Sequence, residues 1–179
     1  MEQINLEERF VESKKIFSGK ILTLRLDSVV LPNGKPATRE VIEHPGAVAI
    51  VPVTAAGEIV LVRQYRHAVG KLLLEIPAGK LDAGESPDTC AHRELEEETG
   101  YVAAIMQRLT SIETTPGFSN EIIHIFVARE LRSTQQHPDE DEFLNVELYS
   151  RDAVREMISD GTITDAKTIV GLMLAGITL

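Results

Sequence analysis

Four glutamates crowd into positions 94–98 of the stretch RELEEETG, which runs from Arg93 to Gly100. On a helix, Glu94, Glu97 and Glu98 fall at i, i+3 and i+4 and share one face, while Glu96 points elsewhere. Like charges so placed repel, and a helix C-terminus makes matters worse because its dipole favours cations. Two chemistries account for such a face. A solvated acidic surface is the plainer one, and the carboxylates alone favour it. The other is an all-oxygen site for hard divalent cations, which offset clustered charge and bridge carboxylates to phosphate oxygens.

The element that must carry this face is marked at both ends. Ser86 suits the N-cap, Pro87 the first helical position and Gly100 the position past the C-terminus, so a helix is expected over roughly 87–99. The segment GKLDAGES before it reads as a loop. Upstream, VESKKIFSG, ILTLRLDSVVL and TREVIEH read as strands, with Pro32-Asn33-Gly34 as a hairpin turn. His44-Pro45-Gly46 punctuates the chain and sets a boundary between a small N-terminal β-sheet domain, 1–43, and a main domain, 44–179. AVAIVPV, EIVLVRQYR, LLLEIP, EIIHIFVARE and NVELYS follow as strands. Ser150 caps a helix through about Ser159, and Thr164 caps a last helix bearing Ile169, Leu172, Met173 and Leu174. Short strand-to-strand links mixed with helices favour an α+β fold over a doubly wound sheet.

Composition narrows the partners. A chain of 179 residues supports one good core with a small appended unit. The net charge of −10 argues against a nucleic-acid surface, and it demands that cations stand between the protein and any anionic substrate. The single cysteine, Cys90, excludes an intrachain disulfide and suits a reducing compartment. No apolar run approaches the roughly 18 residues that span a bilayer. The start MEQINLEERF lacks a signal-peptide pattern. The expectation is a cytoplasmic protein with no membrane or nucleic-acid partner.

The flanks choose between the two acidic faces. Gly79, Glu85, Arg93, Glu94, Glu97, Glu98 and Gly100, closed by Tyr101, stand at the spacing of the Nudix box, and the chain resembles the Nudix hydrolases. The closing position is usually aliphatic, and Tyr101 is a departure that still packs. The resemblance implies a Nudix fold, a mixed β-sheet core sandwiched between helices, beside the small N-terminal antiparallel sheet. It implies Mg²⁺ as cofactor, with Mn²⁺ also suited to oxygen ligands. The ligands would be the Ala78 carbonyl, Glu94, Glu98 and Glu97, the last also counted as catalytic. Glu85 would reach the site or support it, and Arg93 would pair with a box glutamate and orient it. Leu95 and Cys90 read as core.

Within the family, the chain is similar to the ADP-ribose pyrophosphatase branch. Pro116 in ETTPGFSNE and the closing Glu121 match that branch, although Pro-Gly also simply makes a turn. VRQYR offers Arg63 and Arg66 for bidentate phosphate contact, unless they are ordinary surface residues. LLEIPAGK brings Glu75 toward the box. The N-terminal strands resemble a sheet that such enzymes exchange across a homodimer, which implies a domain-swapped dimer. The acidic run HPDEDEFLNVEL has the length of a mobile loop. By resemblance it supplies the general base, with Glu140 the first choice and Glu142 the second. The implied reaction is Mg²⁺-dependent hydrolysis of ADP-ribose to AMP and ribose 5-phosphate. Another nucleoside diphosphate sugar, FAD or an oxidised nucleotide would suit the same box. A sensor without catalysis would not need every acidic box position filled, and an acidic interaction module leaves the spacing unexplained. DGTITDAKT is familiar from the branch, but Asp165 and Lys167 need no explanation there beyond a helix start.

Overall fold

The computed structural model describes residues 4–140 and 142–178, so Asp141 of the acidic run, the first three residues and Leu179 lie outside the described residues. The chain divides into two compact units. One comprises Met1–Pro45 with Glu113–Ile122, and the other Gly46–Ile112 with Ile123–Leu179.

In the first unit, β1 (Arg9–Ser18), β2 (Thr23–Val30) and β3 (Pro36–Glu43) form an antiparallel sheet in that order. The β2–β3 hairpin closes where the sequence marks it. Gly34 takes φ 80°, a conformation that favours a residue without Cβ, and Asn33 Oδ1 accepts from the Lys35 amide at 3.0 Å. Strand β1 is exposed along its whole length. The 113–122 segment is laced to the end of β3: Ile42 N–H donates to Phe118 O at 2.7 Å and His44 N–H to Asn120 Oδ1 at 2.9 Å.

The second unit holds two sheets. Strands β4 (Ala47–Pro52), β7 (Ala78–Lys80), β8 (Tyr101–Glu113) and β9 (Ile122–Ser133) form a mixed sheet in the order β7-β4-β9-β8. Here β4 runs parallel to β9 and antiparallel to β7. Strands β5 (Ile59–Arg66), β6 (Lys71–Glu75) and β10 (Leu144–Tyr149) form an antiparallel sheet in the order β10-β5-β6. Among the described residues, three α-helices complete it: α1 (Pro87–Thr99), α2 (Arg151–Ser159) and α3 (Ala166–Leu174).

Every residue of β4 is buried, as expected of a strand covered on both faces. Its side chains alternate between two cores. Val48 and Ile50 pack with Phe126 of β9 and with Cys90, Ala91 and Leu95 of α1. Ala49 and Val51 pack with Ile125, Ile76 and Leu172 of α3. The mixed sheet is thus sandwiched between α1 on one side and α3 on the other. The approach of α3 is close: a Cβ on Gly171 would lie 2.9 Å from Ile76 Cδ1 and 3.1 Å from Val51 Cγ2.

Three local features differ from the sequence reading. GKLDAGES is not all loop, since Gly79 and Lys80 belong to β7, an edge strand too short to show a period. No strand is read over 101–113 from the sequence, because the long β8 found there lacks a clean alternation of exposure. The N-cap of α3 is Asp165 rather than Thr164, because the Asp165 carboxylate accepts the Thr168 amide at 2.9 Å and the Thr168 hydroxyl at 2.6 Å. The Gly171 contact generates a prediction. Gly171→Val overpacks the α3–sheet seam and lowers unfolding free energy by about 1–3 kcal/mol, measured by urea denaturation. Unchanged stability would contradict the seam.

Candidate active site

Helix α1 begins as its sequence dictates: Ser86 Oγ accepts the Thr89 amide at 3.1 Å, Pro87 starts the first turn, and Gly100 ends the helix at φ 66°. Its apolar face fastens it to β4, which fixes where its acidic face points. Glu94 and Glu98 are buried, at 6% and 2% exposure, and Glu97 is half-buried. For glutamates this is rare without partners.

Arg93 gathers three of the box carboxylates. Its guanidinium donates to both oxygens of Glu85 at 2.9 Å, to Glu94 at 2.7 Å and to Glu97 at 2.8 Å, and also reaches the Lys80 carbonyl at 3.2 Å. Arg93 therefore clamps the loop before the helix onto the helix itself. The Glu85 carboxyl is held at about 2, chiefly by its bonds to Arg93. Cys90 belongs to the same corner. Burial pushes its thiol up to about 12, which makes it an inert packing residue.

Glu94 and Glu98 are under-compensated. Burial, the main cause, raises Glu94 to about 7 despite Arg93, with Glu97 and Glu142 adding to the rise. Burial likewise raises Glu98 to about 8. Opposing it are the Ala78 amide, which donates to Glu98 Oε2 at 3.0 Å, and the charge of Arg66. Gly79 makes room for this arrangement: a Cβ there would fall 1.8–2.2 Å from the Glu94 carboxylate atoms.

These donors fit a hard divalent cation. They are oxygens, they are buried, and the proton they retain near neutral pH marks negative charge in want of a positive partner. Among the described residues, no three His, Cys, Asp or Glu side chains converge as a finished cage, because Glu94 and Glu97 are turned onto Arg93.

Two arginines were expected together, and the structure divides them. Strand β5 alternates its side chains, so Arg63 and Arg66 leave opposite faces. Arg63 is bound side-on by Glu147, at 2.7 and 2.9 Å, with Tyr149 OH at 3.3 Å. Arg66 is bound by Glu75 at 2.9 and 2.8 Å and lies within electrostatic reach of Glu98. Glu75 itself is 1% exposed. Burial pushes its carboxyl up, but Arg66 and Lys167 together outweigh that and hold it below the ordinary range. Glu147, the partner of Arg63, and Lys167, the second partner of Glu75, were missed from sequence. Both pairings join residues far apart along the chain, so no local pattern pointed to either.

The acidic loop is rooted on α1. Thr134 N–H donates to Gly100 O at 2.7 Å, Gln136 Nε2 to Glu98 O at 2.7 Å and His137 N–H to Glu97 O at 3.1 Å, which satisfies carbonyls the helix end leaves open. From this root, Glu142 places its charge on both Glu94 and Glu98, whereas Glu140 is exposed. Pro116 and Glu121 sit in the first unit, where Glu121 accepts from Thr114 Oγ1 at 2.6 Å and pairs with His44 at 3.4 Å.

Comparison with known proteins completes the description. Residues 43–170 match the NUDIX domain, and residues 8–42 match the nucleoside diphosphate sugar hydrolase N-terminal domain. An ADP-ribose pyrophosphatase of Bacillus subtilis (strain 168) is 44% identical over 166 residues, covering 92% of this chain and 90% of that protein. A methanol dehydrogenase activator of Bacillus methanolicus is also 44% identical, over 168 residues, covering 93% and 91%. A crystal structure of an ADP compounds hydrolase shares the fold, with a TM-score of 0.86 at 23% identity, over 98% of this chain and 95% of that one.

Two predictions follow from the geometry. Gly79→Ala forces the Glu94 carboxylate aside and lowers kcat about 100-fold or more while the protein still folds; steady-state kinetics and a thermal melt check both halves. Glu94 and Glu98 titrate above the ordinary carboxyl value of 4.5. Without cations, the folded protein therefore holds protons that the unfolded chain has lost, so their contribution is complete below that value and fades as pH rises through about 8. The melting temperature of chelator-treated protein should fall from pH 6 to pH 9, and fall less in Glu98→Gln. A rise over that interval would contradict the assignment.

Proposed function

Since the chain belongs to the Nudix hydrolase family and is a hydrolase of nucleoside diphosphate derivatives, we propose that its substrate is ADP-ribose, cleaved by water to AMP and ribose 5-phosphate. The observation that carries this reading is the buried, under-compensated pair Glu94 and Glu98 beside Arg66. This is an oxygen-rich cluster that gains most from a ligand bringing cations and phosphates together. The likeness over 92% of the chain to a protein named ADP-ribose pyrophosphatase supports the choice of nucleoside.

Glu94, Glu97, Glu98 and the Ala78 carbonyl are the residues to hold Mg²⁺ or Mn²⁺. When bound, the cation supplies positive charge for the P–O–P oxygens and makes water a better nucleophile near neutral pH. The chain's own groups do the rest. Arg66 offers its outward N–H donors to a phosphate oxygen while Glu75 fixes its plane. Glu142 takes the proton from the attacking water; we rank it ahead of Glu140 because its charge already acts on Glu94 and Glu98. Arg93 keeps Glu85 and the loop in register with α1. Burial of Glu94 and Glu98 excludes bulk water, which strengthens each of these electrostatic contacts.

The proposal extends to assembly and place. Strand β1 leaves Phe10 and Phe17 each 56% exposed, an apolar area that a second copy of this chain would cover in a domain-swapped homodimer. No helix among the described residues is long and apolar enough to cross a membrane; with the single cysteine this supports a cytoplasmic enzyme.

A substrate panel tests the reading. Purified protein with Mg²⁺ should release AMP from ADP-ribose with a higher kcat/KM than it shows for GDP-mannose, FAD or an oxidised nucleotide, and excess chelator should abolish turnover. Preference for another member of the panel would replace the substrate. Glu142→Gln should lower kcat by about 10²–10⁴-fold with Glu140→Gln close to wild type; the reverse order would move the base to Glu140.

A further inference from the structure

Lys167 is a largely enclosed cation that the chemistry above does not use. It is the second residue of α3, its side chain 12% exposed, and its Nζ bonds Glu75 Oε2 and, at 3.0 Å, Asp165 Oδ2. Glu75 in turn holds the Nε–Nη2 edge of Arg66 side-on. Four charges thus form one chain: Arg66, Glu75, Lys167, Asp165.

We propose that Lys167 is a positioning residue for Arg66, sharing Glu75 so that Arg66 keeps positive charge to offer a phosphate. This rests on the reading that Arg66 faces the diphosphate. An arginine paired one-to-one with a buried carboxylate is electrically neutral from outside and attracts an anion weakly. A second cation on the same carboxylate restores the difference. Asp165 does not cancel Lys167 alone, because its carboxylate also takes the Thr168 amide and hydroxyl and stands at the N-terminus of α3, where the helix dipole is positive. Lys167 is also held in place. Thr168 Oγ1 accepts the Ile76 amide at 3.0 Å, which stitches the start of α3 to the residue after Glu75. The Nε–Nη2 edge of Arg66 is therefore held by Glu75, and among the described residues its Nη1 donors take no hydrogen-bond partner and remain for an added anion.

A merely structural lysine would neutralise Glu75 and nothing more, and kinetics separate the two. Lys167→Gln keeps a donor to Glu75 but removes the charge, and Lys167→Met removes both. KM and kcat are measured on whichever nucleoside diphosphate derivative the wild-type enzyme turns over, so failure on ADP-ribose would sink the substrate reading and leave this test intact. KM should rise about tenfold in Lys167→Gln with kcat within about threefold, and Lys167→Arg should restore it. In an Arg66→Gln background, Lys167→Gln should change KM less than about twofold, since the group it serves is gone. Should Lys167→Met fail to fold, Lys167→Gln carries the comparison. An unchanged KM, or an equal rise with and without Arg66, would overturn the proposal.

Discussion

The constraint that governs the second unit is the burial of Glu94 and Glu98 one turn apart on α1. Moving a carboxylate out of water is costly unless a cation or several donors replace the solvent. Arg93 is the nearest cation, but it is divided among Glu85, Glu94 and Glu97. Glu98 has the Ala78 amide and the more distant charge of Arg66. The protein thus keeps a deficit of positive charge at a place where its fold excludes water. Such a deficit is unfavourable in the free protein and favourable toward a ligand that supplies cations, so stability and function draw on the same carboxylates in opposite directions.

The scaffold answers this deficit with rigidity. Cys90, Ala91 and Leu95 fasten α1 to Val48, Ile50 and Phe126, so the helix cannot rotate its acidic face out to solvent. Gly79 lets β7 lie against the Glu94 carboxylate, where any side chain would collide. The carbonyls at the end of α1, which a helix leaves open, receive donors from the root of the acidic loop. One helix therefore positions the oxygen donors and also the segment that brings Glu142 to them.

The features legible in sequence were those that depend on local chemistry. Ser86, Pro87 and Gly100 delimit α1 because caps act over one turn, and Asn33-Gly34 marks a hairpin for the same reason. The box spacing identified the family because a helix converts spacing directly into a shared face. What was hidden depends on tertiary partners. The β7 strand exists through its pairing with β4, and three residues carry no period of their own. Arg63 and Arg66 read alike until strand alternation assigns them to opposite faces and to Glu147 and Glu75. Asp165 outcompetes Thr164 as a cap because Lys167 and Thr168 reward its carboxylate. Glu142 acts electrostatically on Glu94 and Glu98 while Glu140 is exposed, a difference that no count along the chain reveals.

The central claim is that the deficit at Glu94 and Glu98 is a cation site. Calorimetric titration of Mg²⁺ at pH 7, repeated in buffers of different ionisation enthalpy, measures the protons released on binding as well as the affinity. The account predicts saturable binding with net proton release, as Glu94 and Glu98 lose the protons they hold in the free protein. Binding without proton release, or no binding at all, would contradict it.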